Sequence, residues 1–225
     1  MSELDIHAYA RGLYGRVNEM WGKHREDLFG GACGFDVLSG PPAYRPAVMI
    51  IGANPGFGAH DHRPSEDTTW PVTSYISEAQ WPLAIKIRSI FAEAGRSDAL
   101  DTAIQTNFLF FKSSSINAGP GSRYPWSDVA PMVRMKLERW SAEEIKDLIR
   151  VLEPALIIVL GTATFNAHAH HRRTVLRDRT GKRDLLLEGI IAERPAIGIL
   201  HPTGARVANA DWSRVSTELA ERLTS

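Results

Sequence analysis

The stretch "ALIIVLG", residues 155–161, decides how the chain is to be read, because Ala155 to Leu160 are apolar without a break. A strand with one wet face alternates apolar and polar residues. An uninterrupted run is what a strand buried on both faces shows, and such strands lie in mainly parallel sheets covered by helices on each side. The residues before it fit. Ile145, Leu148, Ile149 and Leu152 recur at helical spacing and stop at Pro154, and Ser141 with Glu144 has the spacing of a capping box, which predicts a helix start at Ser141. A short helix is expected after Thr162.

Moving outward, "VMII" (48–51), "AIQTNFLFF" (103–111) and "AIGIL" (196–200) read as further core strands. "DLLLEGIIA" (184–192) reads as a hairpin or a short pair of strands. Ile6, Tyr9, Leu13, Val17, Met20, Trp21 and Leu28 predict an amphipathic helix from Asp5 to about Phe29, weakened by Gly12, Gly15 and Gly22. Ser77 and Gln80 suggest the start of a second helix that ends near Gly95. A last helix from Asp211 to Leu223 would bury Trp212, Val215, Leu219 and Leu223. Alternating strands and helices, with no repeat or linker, predict a single α/β domain over residues 1–225. Its architecture would be a three-layer α/β/α sandwich around a mainly parallel sheet of about four strands.

Composition bounds the function. The chain has 225 residues, 44% of them hydrophobic, enough for one sizeable core. Lys and Arg number 26, as do Asp and Glu, so bulk charge does not mark a highly basic nucleic-acid binder, although a local basic face can exist. One cysteine, Cys33, excludes an intrachain disulfide and a thiolate-rich metal or iron–sulfur site. Mean hydropathy is −0.19 and the N-terminus lacks a long apolar run. The expectation is a cytoplasmic, monomeric enzyme or binding domain with no membrane partner.

In a parallel sheet the loops that follow the strands emerge at one edge, where open α/β sheets bind ligands. Here they carry Asn54 and Phe57, Lys112 with Ser113 to Ser115, Thr162 and Thr164, and His201, Thr203 and Arg206. Taken singly, Asn54-Pro55-Gly56 and Pro202-Thr203-Gly204 also suit ordinary turns. "GANPGFG" lacks the Gly-Lys-Ser/Thr ending of a phosphate-binding loop and the Gly-x-Gly-x-x-Gly spacing of a dinucleotide site. His168, His170 and His171 share no settled helix face and run into an arginine-rich segment. No metal and no cofactor are expected.

Together, "GANPG" after a strand, "TNFLFF" in mid-chain and "HPTGAR" after the last strand resemble the signature loops of the uracil-DNA glycosylase superfamily. The first is similar to the Gly-x-Asn-Pro-Gly form of the mismatch-specific and single-strand-selective branches. The "TN" resembles the thermophilic branch, where an asparagine reads the base. The resemblance spans Val48 to Arg206 and implies hydrolysis of the N-glycosidic bond of uracil or another damaged base in DNA.

It implies roles as well. Asn54 would orient a water, since an amide cannot act as a strong base. An aspartate there would be faster by roughly 10²–10⁴ if that step limits. His201 would donate to the base carbonyl as negative charge grows on it, the logic of an oxyanion hole. Asn107 would read the base edge with one donor and one acceptor. Gly52, Ala53 and Gly56 would line the pocket, with Gly56 standing where strictly uracil-specific relatives carry a tyrosine that excludes 5-methyl groups. Phe57 and Trp70 are candidates for stacking on the extruded base. Ser113, Thr203, Gly204 and Arg206 would contact DNA, and "HRRTVLRDRTGKR" (171–183) offers a basic face. Two rivals stand beside this: a non-catalytic nucleic-acid or nucleobase binder of the same fold, and a hydrolase using Ser113, Ser114 or Ser115 with a histidine, which no Gly-x-Ser-x-Gly elbow supports.

Overall fold

Leu156–Leu160 runs through the middle of the sheet with all five residues buried, as its unbroken apolar pattern predicts. The computed structural model describes residues 3–57, 70, 71, 76, 80–203 and 207–223. In chain order its elements are α1 (Glu3–Lys23), β1 (Val48–Gly52), α2 (Pro82–Glu93), β2 (Ile104–Asn107), α3 (Pro131–Leu152) and β3 (Leu156–Leu160). Then follow α4 (Thr162–His168), β4 (His170–Arg177), β5 (Asp184–Ile191), β6 (Arg194–Ile199) and α5 (Asn209–Leu223).

The sheet has the order β2-β1-β3-β6-β5-β4. β2, β1, β3 and β6 are mutually parallel, whereas β5 is antiparallel to both β6 and β4. The expected α/β class therefore holds, with six strands in a mixed, mostly parallel sheet instead of about four. The two extra strands have a physical explanation. β5 is one continuous strand, joined to β6 by a tight turn at Ala192 and Glu193, both at positive φ. β4 lies at the sheet's edge with Leu176 as its single buried residue, so no core periodicity marks it in the sequence.

Alternating side chains of the central strands feed two separate cores. Met49, Ile51, Ile157 and Val159 pack with α1, α3 and Phe165 of α4. Val48, Ile50, Leu156, Ile158 and Leu160 pack with Ile87, Ile90 and Phe91 of α2 and Trp212, Val215 and Leu219 of α5. Helices thus cover both faces. Gly198 of β6 is needed for this, because a Cβ there would overlap the Phe165 ring that lies directly on the strand.

Several boundaries differ from expectation. α1 ends at Lys23, and Phe29–Gly31 forms a separate 3₁₀ turn. α2 starts at Pro82, and Ser77 of its supposed capping box lies outside the described residues. α3 starts at Pro131, well before Ser141, because proline's fixed φ suits the first helical position. Ser141 is buried inside that helix, and Glu144 binds Arg16 of α1 at 2.7 Å instead of capping. β2 stops at Asn107. Phe108 to Phe111 remain buried but leave the ladder, with Phe111 bridging to Phe35. Among the described residues no helix is long and apolar enough to cross a membrane.

Candidate functional site

The carboxyl ends of the parallel strands are level. Gly52 faces Asn107, Ile51 faces Val159, Val159 faces Gly198 and Leu160 faces Ile199. Asn54 and His201 each stand two residues beyond this line. Only β3 lies between their strands, so the two loops leave the sheet about 10 Å apart at the usual strand spacing. That gap suits one ring hydrogen-bonded from both sides.

Two of the loops are joined beyond the sheet. Phe108 N donates to Gly52 O at 2.9 Å, Leu109 N to Ala53 O at 3.0 Å and Ser113 N to Pro55 O at 3.3 Å. The path after β1 therefore continues alongside the path after β2, closing with a parallel bridge between Gly56 and Ser113. This pairing brings Asn54, Asn107 and Ser113 together from distant parts of the sequence.

Asn54 is held in one orientation. Its Nδ2 donates to the Pro55 carbonyl at 3.0 Å and to Ser113 Oγ at 2.7 Å. Pro55 O can only accept, so the amino end must face it and the amide oxygen is left as the outward acceptor. Ser113 Oγ in turn donates to Ser115 O at 3.0 Å. Ser113, expected to touch DNA, is instead fully buried with its hydroxyl engaged on both sides; it holds Asn54.

Asn107 is 7% exposed, and among the described residues its amide makes no hydrogen bond to protein. Its side chain lies over Gly52, where any Cβ would collide with Oδ1. Glycine at 52 thus makes room for the amide to lie across the end of β1. Gly56 is exposed, with nothing within 4 Å of where a Cβ would stand.

His201 is half-buried, and desolvation holds its imidazole below its ordinary pKa, so it is neutral at pH 7. Thr203 Oγ1 lies 3.3 Å from Nδ1. Where that hydroxyl donates to Nδ1, the ring proton sits on Nε2, which is then a neutral donor. Gly204 and Arg206 lie outside the described residues; Thr203 is exposed.

The aromatics separate. Phe57 is half-buried and meets the edge of Tyr124, with ring centroids 6.1 Å apart. Tyr124 was not expected in the site. It arrives because Ser114 N donates to Tyr124 O at 2.9 Å and Tyr124 N donates to Ser114 Oγ at 3.0 Å, folding the long loop back. Trp70 instead packs on α1, edge-on to His7 at 5.2 Å and tilted against Tyr14 at 6.1 Å, as a core aromatic does.

The rival chemistries find little support. The hydroxyls of Ser113, Ser114 and Ser115 bond to Asn54, Ser115 O, Tyr124 N, Asn117 O and Ser122, and among the described residues none reaches a histidine. Among the described residues no three His, Cys, Asp or Glu side chains cluster as metal ligands. His168 stacks on Phe108 at 3.7 Å, and burial, with a smaller push from Lys146, holds it neutral with a pKa of about 4. A cavity of about 670 Å³ opens at the other end of the parallel strands, lined by Ala47, Leu156, His171, Glu188, Ala196 and Arg222. It belongs to the amino-terminal edge, away from Asn54 and His201. No protein-family model matches the chain, and no curated protein is similar to it in sequence.

Proposed function

We propose that the protein is a DNA base-excision glycosylase that hydrolyses the N-glycosidic bond of uracil or a related deaminated base. The observation that carries this is the fixed Asn54 amide, whose oxygen is left to accept a hydrogen bond at the same edge as the unpartnered Asn107 amide and the neutral His201. The described parts of the loops that carry the superfamily resemblance, among them Asn54 and His201, lie at that edge.

The chemistry follows from these groups. An extruded nucleotide enters between the β1 and β6 loops. Asn107 bonds the base edge with its amide, which makes no other hydrogen bond among the described residues. The C1′–N bond breaks, its electron pair leaves with the base, and His201 Nε2–H strengthens its bond to the carbonyl that gains negative charge. A water held by the Asn54 oxygen forms the new C1′–O bond. Its surplus proton passes to solvent, and the departing base takes a proton from solvent. Phe57, braced by Tyr124, offers its face to the base. The open space before Gly56 favours a pocket that also accepts 5-substituted or mismatched bases.

A non-catalytic binder is the second possibility, since the Asn54–Pro55 bond is also what a turn asparagine makes. Incubation with oligonucleotides carrying uracil, thymine mismatches or hypoxanthine, followed by alkaline cleavage, separates the two. Abasic product from several bases, lost in Asn54→Ala and His201→Ala, is expected. Tight binding without product, unchanged in Asn54→Ala, supports the binder; strict uracil preference removes the open-pocket argument.

A further inference from the structure

The aromatic rings divide into those that fill a core and those that do not. Phe110, Phe111, Trp126 and Phe165 are buried together in the core beneath α1 and α3. Phe57 and Tyr124 are half-buried and join neither core, and Phe29 only borders one. These three rings nevertheless meet. The Phe57 and Tyr124 centroids lie 6.1 Å apart, and those of Phe29 and Tyr124 lie 5.4 Å apart.

The backbone brings them there. Gly56 bridges to Ser113 and Ser115 bridges to Pro125, both in parallel, so the path after Asn54 lies beside residues 113–115 and those lie beside 124–125. Ser114 pins Tyr124 through both its N–H and its carbonyl. On the other side, Phe29 sits at φ 58°, followed by Gly30 at 61° and Gly31 at 77°. A left-handed backbone is unfavourable for a phenylalanine, so the contact with Tyr124 is held against local strain.

The row also carries polar groups that the protein leaves open. Arg123 Cζ lies 5.2 Å over the Tyr124 ring. Arg123 is exposed, and among the described residues its guanidinium makes no ion pair and no hydrogen bond. The Tyr124 hydroxyl likewise bonds to no protein group among the described residues.

We propose that Tyr124, with Arg123 over it and Phe57 and Phe29 against it, is a subsite for the unpaired base next to the extruded one. Phe57 is three residues from Asn54, and Asn54 itself is bonded to Ser113, so the row starts at the candidate site and leads away from it. An unpaired base offers a face to the rings or the guanidinium plane and an edge to the Tyr124 hydroxyl. A base inside a duplex is already stacked and paired, and gains nothing there. The inference takes the identity of the polymer from the glycosylase proposal, but its test does not need catalysis.

Fluorescence anisotropy measures it with two single-stranded oligonucleotides, each carrying one 2′-fluoro-2′-deoxyuridine that resists cleavage. In the first, thymidines flank the uridine; in the second, abasic analogues replace them and keep the phosphates. Wild type is expected to bind the first about tenfold more tightly. Tyr124→Ala is expected to bind both alike, at the wild-type affinity for the second. Tyr124→Phe, which keeps the ring, should retain most of the preference, and Arg123→Lys, which keeps the charge without the plane, should lose part of it. Arg150→Ala, exposed at the opposite end of the sheet, should leave it unchanged. Equal wild-type affinity for the two oligonucleotides would overturn the subsite, as would a preference that survives Tyr124→Ala, or a wild-type protein that binds neither. A flank preference without excision of uracil would leave the subsite standing and remove the enzyme. Excision without a flank preference would do the reverse.

Discussion

The parallel half of the sheet and its antiparallel flank deploy polar residues in opposite ways. β1, β2 and β3 are buried along their length, and their chemistry is confined to the loops at their ends. There a few buried or half-buried polar groups each have a distinct state: Asn54 fixed, Asn107 without a hydrogen bond to protein among the described residues, His201 neutral. On β4 the polar residues are numerous and exposed, and its arginines pair with the half-buried Asp184 and Glu188 of β5. Exposed pairs are worth little individually and are nearly interchangeable. Burial, more than charge, sets single residues apart here.

The contrast can be broken by stability. Ile158, 2% exposed between α2 and α5, should cost about 2–5 kcal/mol on truncation to alanine. Thr174→Ala on exposed β4 should stay within about 0.5 kcal/mol. Urea midpoints read both, and equal losses would mean the flank is as integral as the centre.

Catalysis sharpens the same contrast. His201→Ala should lower single-turnover excision about 10²–10³-fold, the cost of one oxyanion donor. Lys182→Ala should leave that rate unchanged once DNA saturates the enzyme. A comparable rate loss in both would erase the division between chemistry and binding.

pH gives a third probe. His168, half-buried against Phe108, has its pKa lowered to about 4 by burial, whereas the unfolded chain titrates near the ordinary 6.5. As pH falls the unfolded state takes up the proton first, so stability is full above 6.5, declines between 6.5 and 4, and levels off below. The span corresponds to roughly 3 kcal/mol. Urea unfolding of wild type and His168→Phe should differ in this slope; parallel pH profiles would place the loss elsewhere.

The smallest contrast lies within one loop. Gly52→Ala must displace the Asn107 amide and should cost about 1–3 kcal/mol. Gly56→Ala meets open space and should be close to neutral. Thermal melting of the two variants compares them, and a tolerated Gly52→Ala would mean that Asn107 is not confined.

What the sequence made legible follows the same division. β1, β3 and β6 stood out because burial on both faces leaves unbroken apolar runs. β4 was hidden because an edge strand facing solvent has no such constraint. Ser141 and Glu144 imitated a helix start, although Pro131 had already begun that helix and the interior of the fold absorbed the serine. The placement of Asn54, Asn107 and His201 at one sheet edge was legible from the strands they end or follow, whereas the burial of Ser113 was not, since a buried hydroxyl and an exposed one look alike in sequence. Tyr124 gave no signal, because only the refolding of residues 114–124 brings it to Phe57. Trp70 was a plausible stacker until α1 supplied its neighbours.

The most direct test is a crystal structure with DNA containing 2′-fluoro-2′-deoxyuridine, whose fluorine resists formation of the cationic sugar and keeps the bond intact. The uracil should lie between the β1 and β6 loops, with His201 Nε2 about 3 Å from a base carbonyl and Asn107 on the base edge. A base still stacked in the duplex, or seated in the cavity beside Leu156 and Glu188, would contradict the assignment of this edge as the site of chemistry.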